Sequence, residues 1–563
     1  MRNPLSAHVV IAFATLVFFP GVLHAVPSVP PAWFAEGGVS GAEFGWSVSA
    51  AGDVNGDAYG DVVIGAPNFE NGDGAEGRAV LFLGSQAGLE LSPAWNIEGN
   101  LFSAIMGHSV SAGDVNGDGF DDVLVGSRFY GTALMPLGRA QLHYGSSSGL
   151  SPGPDWIANG EHSYSDFGFS LCATGDVNGD GFADVVVGSP YYGGAEAQEG
   201  RVYAYHGSAS GLPATPSWIV EGNQQSSAFG ISVAAGDVNG DGFDDAIIGA
   251  SAFDNGQTDE GKTFLYLGSP TGLGAAPAWT AESDQARAAF GISVGSAGDV
   301  DGDGYDEIVV GAWEFDNGQL NEGRVSLFYG TPTVPNGSPD WTFESDQAQA
   351  YLGMPAAPAG DLNSDGYDDI VVGASSFDVD QLNEGRALVW FGSPSGLGAA
   401  PRLTIDGNQA SSGFGLGAAG AGDVDDDGFA DLIVGAYTAS NGQAYEGIAY
   451  LFAGAALTAT DVPIDGAIGR TPDLLVEGIY PNPARTSATV VYSLRAPSDV
   501  RVDLFDIAGR RVGTPYAGSR TAGRHTETID ARDKNGRILP SGVYFVRVQS
   551  GARVETARVR FVR

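Results

Sequence analysis

The sequence predicts an all-β chain: a seven-bladed β-propeller followed by a small Ig-like β-sandwich. Three observations carry that expectation. A nine-residue acidic loop of the form DVNGDGFDD returns seven times, starting at Asp53, Asp114, Asp176, Asp237, Asp299, Asp361 and Asp423, with a period of 61 or 62 residues. Such a period marks a repeat architecture in which each copy buries its apolar face against its neighbours. Each repeat also holds four short strand patterns, and the balance of charge changes sign between residues 460 and 475.

Taken in order, residues 1–25 carry Arg2, an apolar run from Val9 to Val22 broken by Pro20, and a small Ala25, the pattern of a secretory signal peptide. The run is short for a bilayer span, and no later segment is long and apolar enough to cross, so no transmembrane segment is expected. Residues 26–454 form the predicted propeller. In the third copy the strand candidates are the stretch after Trp156, the run Phe167 to Leu171, the apolar run after Asp184 and the run from Arg201. Four strands in each of seven repeats is a propeller count, and ring closure removes the sheet edges that the runner-up, an open solenoid, would leave exposed. The segment from Pro31 supplies the closing strand, which completes the blade ending near Gly454. Residues 455–472 read as a linker rich in small residues and proline, and 473–563 as the sandwich, with alternating runs from Tyr480, Val500 and Ser541.

Up to residue 469 the chain holds 59 acidic and 10 basic side chains, and beyond it 9 and 16; the whole carries a net charge of -42. That surplus of acid argues against nucleic acid as a partner. Cys172 is the single cysteine, so no internal disulfide braces this chain, and bound cations are the expected substitute.

The acidic loops are the expected cation sites. Side-chain oxygens fall at positions one, three, five and nine and a backbone carbonyl at position seven, an alternation of hard oxygen donors that suits Ca²⁺ better than the more strictly octahedral Mg²⁺. The first loop offers Asp53, Asn55, Asp57, the carbonyl of Tyr59, and Asp61; the second Asp114, Asn116, Asp118, Phe120 and Asp122. The third offers Asp176, Asn178, Asp180, Phe182 and Asp184; the fourth Asp237, Asn239, Asp241, Phe243 and Asp245. The fifth offers Asp299, Asp301, Asp303, Tyr305 and Glu307, the sixth Asp361, Asn363, Asp365, Tyr367 and Asp369, and the seventh Asp423, Asp425, Asp427, Phe429 and Asp431. Up to seven Ca²⁺, one per blade, are therefore expected. A tight turn without metal is the simpler alternative for any single loop, but crowded carboxylates repel unless a cation sits between them. Ala58 replaces a turn glycine in the first loop, and the extra carboxylates Asp301 and Asp425 point to tighter binding at the fifth and seventh.

Catalysis finds little footing. The spacing from Trp33 to Phe44 recurs as 11 residues in every repeat, leaving no lid-sized insertion. His108, His143, His162, His206 and His525 are scattered, and no blade offers a cluster of Arg, Lys or His with acids. Phe69, Tyr191, Tyr192, Trp313, Phe315 and Tyr437 are candidates for ligand stacking, with packing between blades the simpler role. A base recurs before the third strand at Arg78, Arg139, Arg201, Lys262, Arg324 and Arg386, with Ile448 in the last copy, and predicts a structural ion pair in each blade.

Phe44-Gly45, the AGDVNGDAYGD run from Ala51 and IGAP from Ile64 resemble the FG-GAP repeat of integrin alpha-subunit propellers and of many secreted bacterial proteins. Met106-Gly107 and Leu352-Gly353 depart from Phe-Gly but stay apolar. Tyr480-Pro481-Asn482-Pro483, the DIAGR run from Asp506 to Arg510, and Ser541-Gly542-Val543-Tyr544 resemble the C-terminal sorting domain of type IX secretion cargo, and also the Ig-like domain of flagellar hook-capping proteins. The first resemblance of the tail implies contact with secretion machinery and a secreted or outer cell-surface location. The expected function is an adhesion or recognition module with a protein or glycan ligand on a propeller face. The alternatives are an extracellular polysaccharide-acting lyase or hydrolase, and a structural surface-layer component.

Overall fold

The computed structural model describes residues 27–457 and 474–561, apart from 73, 133, 481–485, 495–496, 507–509, 522, 533–536 and 551–552. The expected signal segment, most of the linker, and parts of the Tyr480 and Asp506 motifs lie outside the described residues. The chain divides into two compact units, 1–464 and 465–563.

The first unit contains seven four-stranded antiparallel sheets. In the first blade the strands are Ser47–Gly52, Asp61–Ala66, Arg78–Phe82 and Trp95–Glu98, hydrogen-bonded in that order. The second strand is an unbroken apolar run because both of its faces are covered: DVVIGA is buried at every position, and so is its counterpart in each other blade. The seventh blade lacks a fourth strand of its own. Trp33–Glu36 supplies it, pairing with Ile448–Phe452 in the register Trp33 with Leu451 and Glu36 with Ile448. The ring is thus closed by strand addition from the other end of the unit, as the sequence predicts.

The cores lie between blades rather than within them. One cluster joins Phe44, Val62, Ile64 and Val80 of the first blade to Ala421, Ile433 and Leu451 of the seventh. Each recurring Trp adds a polar tie, its indole N–H donating to a carbonyl about one repeat further on: Trp33 to Glu90 at 3.0 Å, Trp156 to Pro213 at 2.9 Å, Trp218 to Gly274 at 2.9 Å and Trp341 to Gly398 at 3.0 Å.

The two glycine motifs meet in space. Within a blade, the N–H of the Phe-Gly glycine donates to the carbonyl of the glycine in the second strand, Gly45 to Gly65 and Gly168 to Gly188, each at 3.0 Å. Between blades, a side chain on that second-strand glycine would collide with the next Phe-Gly carbonyl. Gly65 faces Gly107 in this way, Gly126 faces Gly168, Gly188 faces Gly230, Gly249 faces Gly291, Gly311 faces Gly353, Gly373 faces Gly415, and Gly435 returns to Gly45. The Phe-Gly glycine is itself left-handed, at φ +82 for Gly168. One expectation is corrected: in the third blade the strand predicted over Phe167 to Leu171 begins only at Leu171 and runs to Gly175, whereas Phe229–Gly236 and Phe414–Gly422 carry the same left-handed glycine inside the strand at a shift of register. Met106 and Leu352 are buried like the phenylalanines they replace.

The second unit is a two-sheet sandwich around one core. Leu474–Tyr480, Ser487–Leu494 and Gly523–Asp530 form one sheet, and Ser498–Asp506, Arg511–Arg520, Gly542–Ser550 and Arg553–Phe561 the other. Val490, Tyr492, Val502, Leu504, Val546 and Val559 meet between them, the alternate residues of strands with one wet face.

Replacing Gly249 by Ala forces a methyl group against the Gly291 carbonyl and is expected to cost about 2–3 kcal/mol in denaturant unfolding. Gly153→Ala, where nothing lies within 4 Å, is the control and is expected to change stability by less than about 0.5 kcal/mol. Equal stability of the two variants would contradict the glycine seam.

Candidate metal-binding loops

Each acidic loop joins the first strand of a blade to the second, so all seven lie on one rim of the ring. Their fold follows from short carboxylates curling back onto their own backbone. Asp53 Oδ1 accepts from the N–H groups of Gly56 and Asp57 at 2.7 and 3.1 Å, and its Oδ2 from Ala58 at 2.7 Å. Asn55 Oδ1 accepts from Asp57 N–H at 2.9 Å, and Asp57 Oδ1 from Tyr59 N–H at 3.1 Å. The position-one carboxylates of the other six loops, Asp114, Asp176, Asp237, Asp299, Asp361 and Asp423, accept from their own loops in the same way.

The turn needs left-handed backbone at positions four and six. Glycine supplies it at most of these sites, but Ala58 sits at φ 73, Ser364 at φ 56 and Asp426 at φ 55. The sequence reading singled out only the first of these three. Where position four is glycine, packing also favours it: the ring of Phe120 covers Gly56, Phe182 covers Gly117, and Tyr305 covers Gly240. Position seven thus presents its aromatic ring to the neighbouring loop.

The position-nine acids are the most buried members. Asp61, Asp122, Asp245, Glu307 and Asp369 have no exposed surface, and Asp184 and Asp431 have 1%. Asp61 Oδ2 accepts from Val54 N–H at 3.0 Å and Oδ1 from Gly84 N–H at 2.8 Å, which ties the loop to the turn after the third strand. Asp122, Asp184, Asp369 and Asp431 repeat both bonds. Burial first, then the neighbouring carboxylates, pushes these acids up: Asp61, Asp122, Asp184 and Asp245 to about 7, Asp369 to about 8, Asp431 to about 6 and Glu307 to about 9. Backbone N–H donors pull the other way without cancelling it.

The donor set fits a hard cation. Carboxylate oxygens of Asp299, Asp301 and Asp303 lie within 4.8 Å of one another, as do those of Asp423, Asp425 and Asp431. Oxygens bound to one Ca²⁺ at about 2.3–2.6 Å stand no more than about 5 Å apart. Asp245 Oδ2, Glu307 Oε1 and Asp425 Oδ1 are buried without a hydrogen-bond partner. In the fifth loop the converging trio does not include Glu307, whose Oε2 accepts from Val300 N–H at 2.7 Å.

Position eight carries no role in the sequence reading, yet it links the loops. Its N–H donates to the position-one carbonyl of the preceding loop all the way round: Asp121 to Asp53, Ala183 to Asp114, Asp244 to Asp176, Asp306 to Asp237, Asp368 to Asp299, Ala430 to Asp361 and Gly60 to Asp423, at 2.8–3.2 Å. Where the residue is Asp, its carboxylate also accepts from the position-one N–H, at 2.8 Å for Asp121 and 2.6 Å for Asp244. A cavity of about 690 Å³ opens here, lined by small residues together with Asp114, Asp121, Asp176 and Asp244.

On the opposite rim four of the recurring bases, Arg201, Lys262, Arg324 and Arg386, form the expected pairs, each over an aromatic ring, whereas Arg78 lies over Phe69 with its Nε buried and without a hydrogen-bond partner. Arg324 Nε donates to Glu344 at 2.8 Å and its guanidinium lies 3.6 Å from the Phe315 ring centre; Arg386 pairs with Asp406 at 2.6 Å over Phe377; Arg201 pairs with Glu221 over Tyr192. Arg139 differs, donating to Asn159 at 2.9 Å. Phe69, Tyr192 and Phe315 are therefore buried packing residues, whereas Tyr191 is 38% exposed. Tyr437 packs edge-on against Trp46, and Trp313 lies beside Tyr351.

One expectation fails here. The histidines stay apart from one another, but His108, Arg128 and Asp166 form a cluster of base and acid between the second and third blades. Arg128 Nη1 lies 3.2 Å from His108 Nε2, Phe169 O is 3.1 Å from His108 Nδ1, and Arg128 Nε is 3.7 Å from Asp166. Sixty residues of sequence separate members that one blade-to-blade seam unites. Burial, helped by Arg128, pushes His108 down to about 3, and burial pushes Asp166 up to about 7. Both imidazole nitrogens are engaged, so the group braces the seam.

A closed ring whose every blade pairs a Phe-Gly kink with an acidic loop defines a repeat-built propeller. The chain is an FG-GAP repeat protein: residues 44–82, 106–142, 167–205, 229–266, 290–328, 355–390 and 414–452 match the FG-GAP repeat, and 478–561 match the Secretion system C-terminal sorting domain. It is similar to Integrin alpha-5 of Xenopus laevis, 34% identical over 40% of this chain and 21% of that protein, and to Integrin alpha-PS2 of Drosophila melanogaster, 35% identical over 36% and 15%. The chain thus spans about a fifth or less of the length of these relatives. A fungal alcohol oxidase structure resembles it weakly, with a TM-score of 0.38 and 12% identity over 95% of this chain and 100% of that one. The sorting tail and the integrin-like propeller make this a secreted or cell-surface protein. Among the described residues no helix is long and apolar enough to cross a membrane.

The raised position-nine acids give the metal-stripped protein a signed pH dependence. A folded-state pKa above the unfolded value means that the native state binds protons more tightly, so stability grows as pH falls from about 8 towards 5. In metal-free buffer, with surface charge screened by salt, the melting temperature is expected to be higher at about pH 6 than at about pH 8. An equal or lower melt at pH 6 would contradict the burial of uncompensated carboxylates.

Proposed function

We propose that this protein is a calcium-stabilised recognition module, exported through its sorting tail, that binds a protein or glycan on a face of the propeller. The observation that carries the reading is the equivalence of the seven acidic loops, each an oxygen-only cradle with a buried acid, in a ring where no blade is elaborated for chemistry. Position-one, -three, -five and -nine side chains and the position-seven carbonyl would hold each ion, as Asp114, Asn116, Asp118, Asp122 and Phe120 would in the second loop; in the fifth, Asp299, Asp301 and Asp303 converge and Glu307 would have to turn its free Oε1 toward them. Calcium would supply the positive charge that the loops otherwise lack and fix the turn after each first strand. The tail's partner is the secretion machinery, consistent with its sorting-domain match. Binding rather than catalysis is supported by His108, whose two nitrogens are already engaged.

Calcium that binds only the folded chain stabilises it by about 2.7 kcal/mol per site at a hundredfold excess over Kd. Chelator is therefore expected to lower the melting temperature by many degrees, and an unchanged melt would rule out structural calcium. In a site-resolved lanthanide titration the fifth and seventh loops are expected to fill first, because Asp301 and Asp425 each add a carboxylate where the other five loops have Asn. Filling last would reverse that ranking. For the ligand, the mature protein is offered polysaccharides and envelope extracts with and without calcium. Calcium-dependent retention without turnover is the expected outcome; released product would make it an enzyme instead.

A further inference from the structure

A second recurring acid lies on the opposite rim, in the loop between the second and third strands. Glu76, Glu199, Glu260, Glu322, Glu384 and Glu446 precede the third strand of six blades, and Leu137 takes the place in the second. All six are buried, with 0–2% of their surface exposed. One oxygen of each accepts from the N–H five residues earlier, at 2.7 Å from Asn71 to Glu76, 3.0 Å from Gly194 to Glu199 and 2.7 Å from Val379 to Glu384. The other oxygen of Glu199, Glu260, Glu322 and Glu384 is buried with no hydrogen-bond partner. A buried carboxylate oxygen left without a donor is costly, and the usual remedy is water or a cation.

The fifth blade shares its residues here with the fourth, where Glu260, Glu282 and left-handed Asp284 recur, but among the described residues only the fifth brings the three carboxylates together. Its fourth strand, Trp341–Glu344, ends in Glu344, and Asp346 follows in left-handed backbone at φ 55. Blades one and three place Asn100 and Asn223 here, and each satisfies itself by donating to the carbonyl two residues before, at 2.8 Å. Aspartate has no proton to donate. Oxygens of Glu322, Glu344 and Asp346 instead converge to within 4.8 Å of one another.

We infer that Glu322, Glu344 and Asp346 form a further divalent-cation site, of the hard, calcium-like class, on the rim opposite the seven acidic loops. Charge supports it: three carboxylates less the one guanidinium of Arg324, which takes Glu344 Oε1 at 2.8 Å, leave two negative charges. Asn317 Nδ2 donates to Glu344 Oε2 at 2.7 Å, and turning that amide over would present its oxygen as a fourth donor. Glu322 is positioned by the backbone N–H of Asn317, and its second oxygen is buried without a hydrogen-bond partner. The site would clamp the loop before the third strand to the end of the fourth.

The test is calcium counted per full-length chain by equilibrium dialysis at saturating concentration. Asp346→Asn recreates the residue that sibling blades tolerate in the same backbone, and is expected to bind one calcium fewer than the wild type with no loss of melting temperature in metal-free buffer. Glu322→Gln is expected to lose the same single ion. The readout is a difference of one between chains, so it holds however many of the seven loops are filled. An anomalous-scattering peak from soaked terbium between Glu322, Glu344 and Asp346, absent in Asp346→Asn, would locate the ion. An unchanged calcium count in both folded variants would overturn the site.

Discussion

The ring depends on how closely neighbouring blades approach at their first two strands. Seven second-strand glycines face seven Phe-Gly carbonyls across the blade seams, and the contact returns from Gly435 to Gly45 without a gap. Side chains there would prise neighbouring blades apart, and a closed ring cannot absorb a widened seam at one place without strain at the others. This explains why the two glycine motifs travel together: one glycine makes the kink, the other makes room for it. Hydrophobic clusters shared by adjacent blades and the Trp ties follow from that spacing, because each blade's face is covered only when its neighbour stands near enough.

On this scaffold the two rims solve different electrostatic problems. The loop rim concentrates carboxylates, and burial, helped by their mutual repulsion, pushes the position-nine acids up. The opposite rim spreads its acids among guanidinium groups and aromatic faces, where a half-buried pair and a stacked ring each contribute on the order of 0.5–1 kcal/mol. The contrast gives the ring a polarity: one side calls for an external cation, while the other mostly carries its own.

Much of this was legible in the chain, since a period, a strand count and a closing segment are one-dimensional signals. The blade number, the strand from Trp33, the ion pairs of four of the six recurring bases and the loop positions could all be read from spacing along the chain. What escaped was what only adjacency in space creates. Asp121 and Asp244 look like filler before Asp122 and Asp245, yet they cap the start of the preceding loop. His108, Arg128 and Asp166 occupy unrelated places in their repeats and meet only because two blades abut. The glutamates before the third strands did recur visibly, but glutamate is ordinarily a solvated residue, and nothing in the sequence signalled their burial.

The closing strand has a consequence for how the molecule is made. Trp33–Glu36 can find its partner only once Ile448–Phe452 exists, so a chain cut short anywhere before the seventh blade is left with an unpaired edge and an incomplete circle. The sorting domain at 478–561 lies later still. Every such fragment therefore lacks the sorting domain as well as its clasp, because the order of segments along the chain puts both at or beyond the last blade.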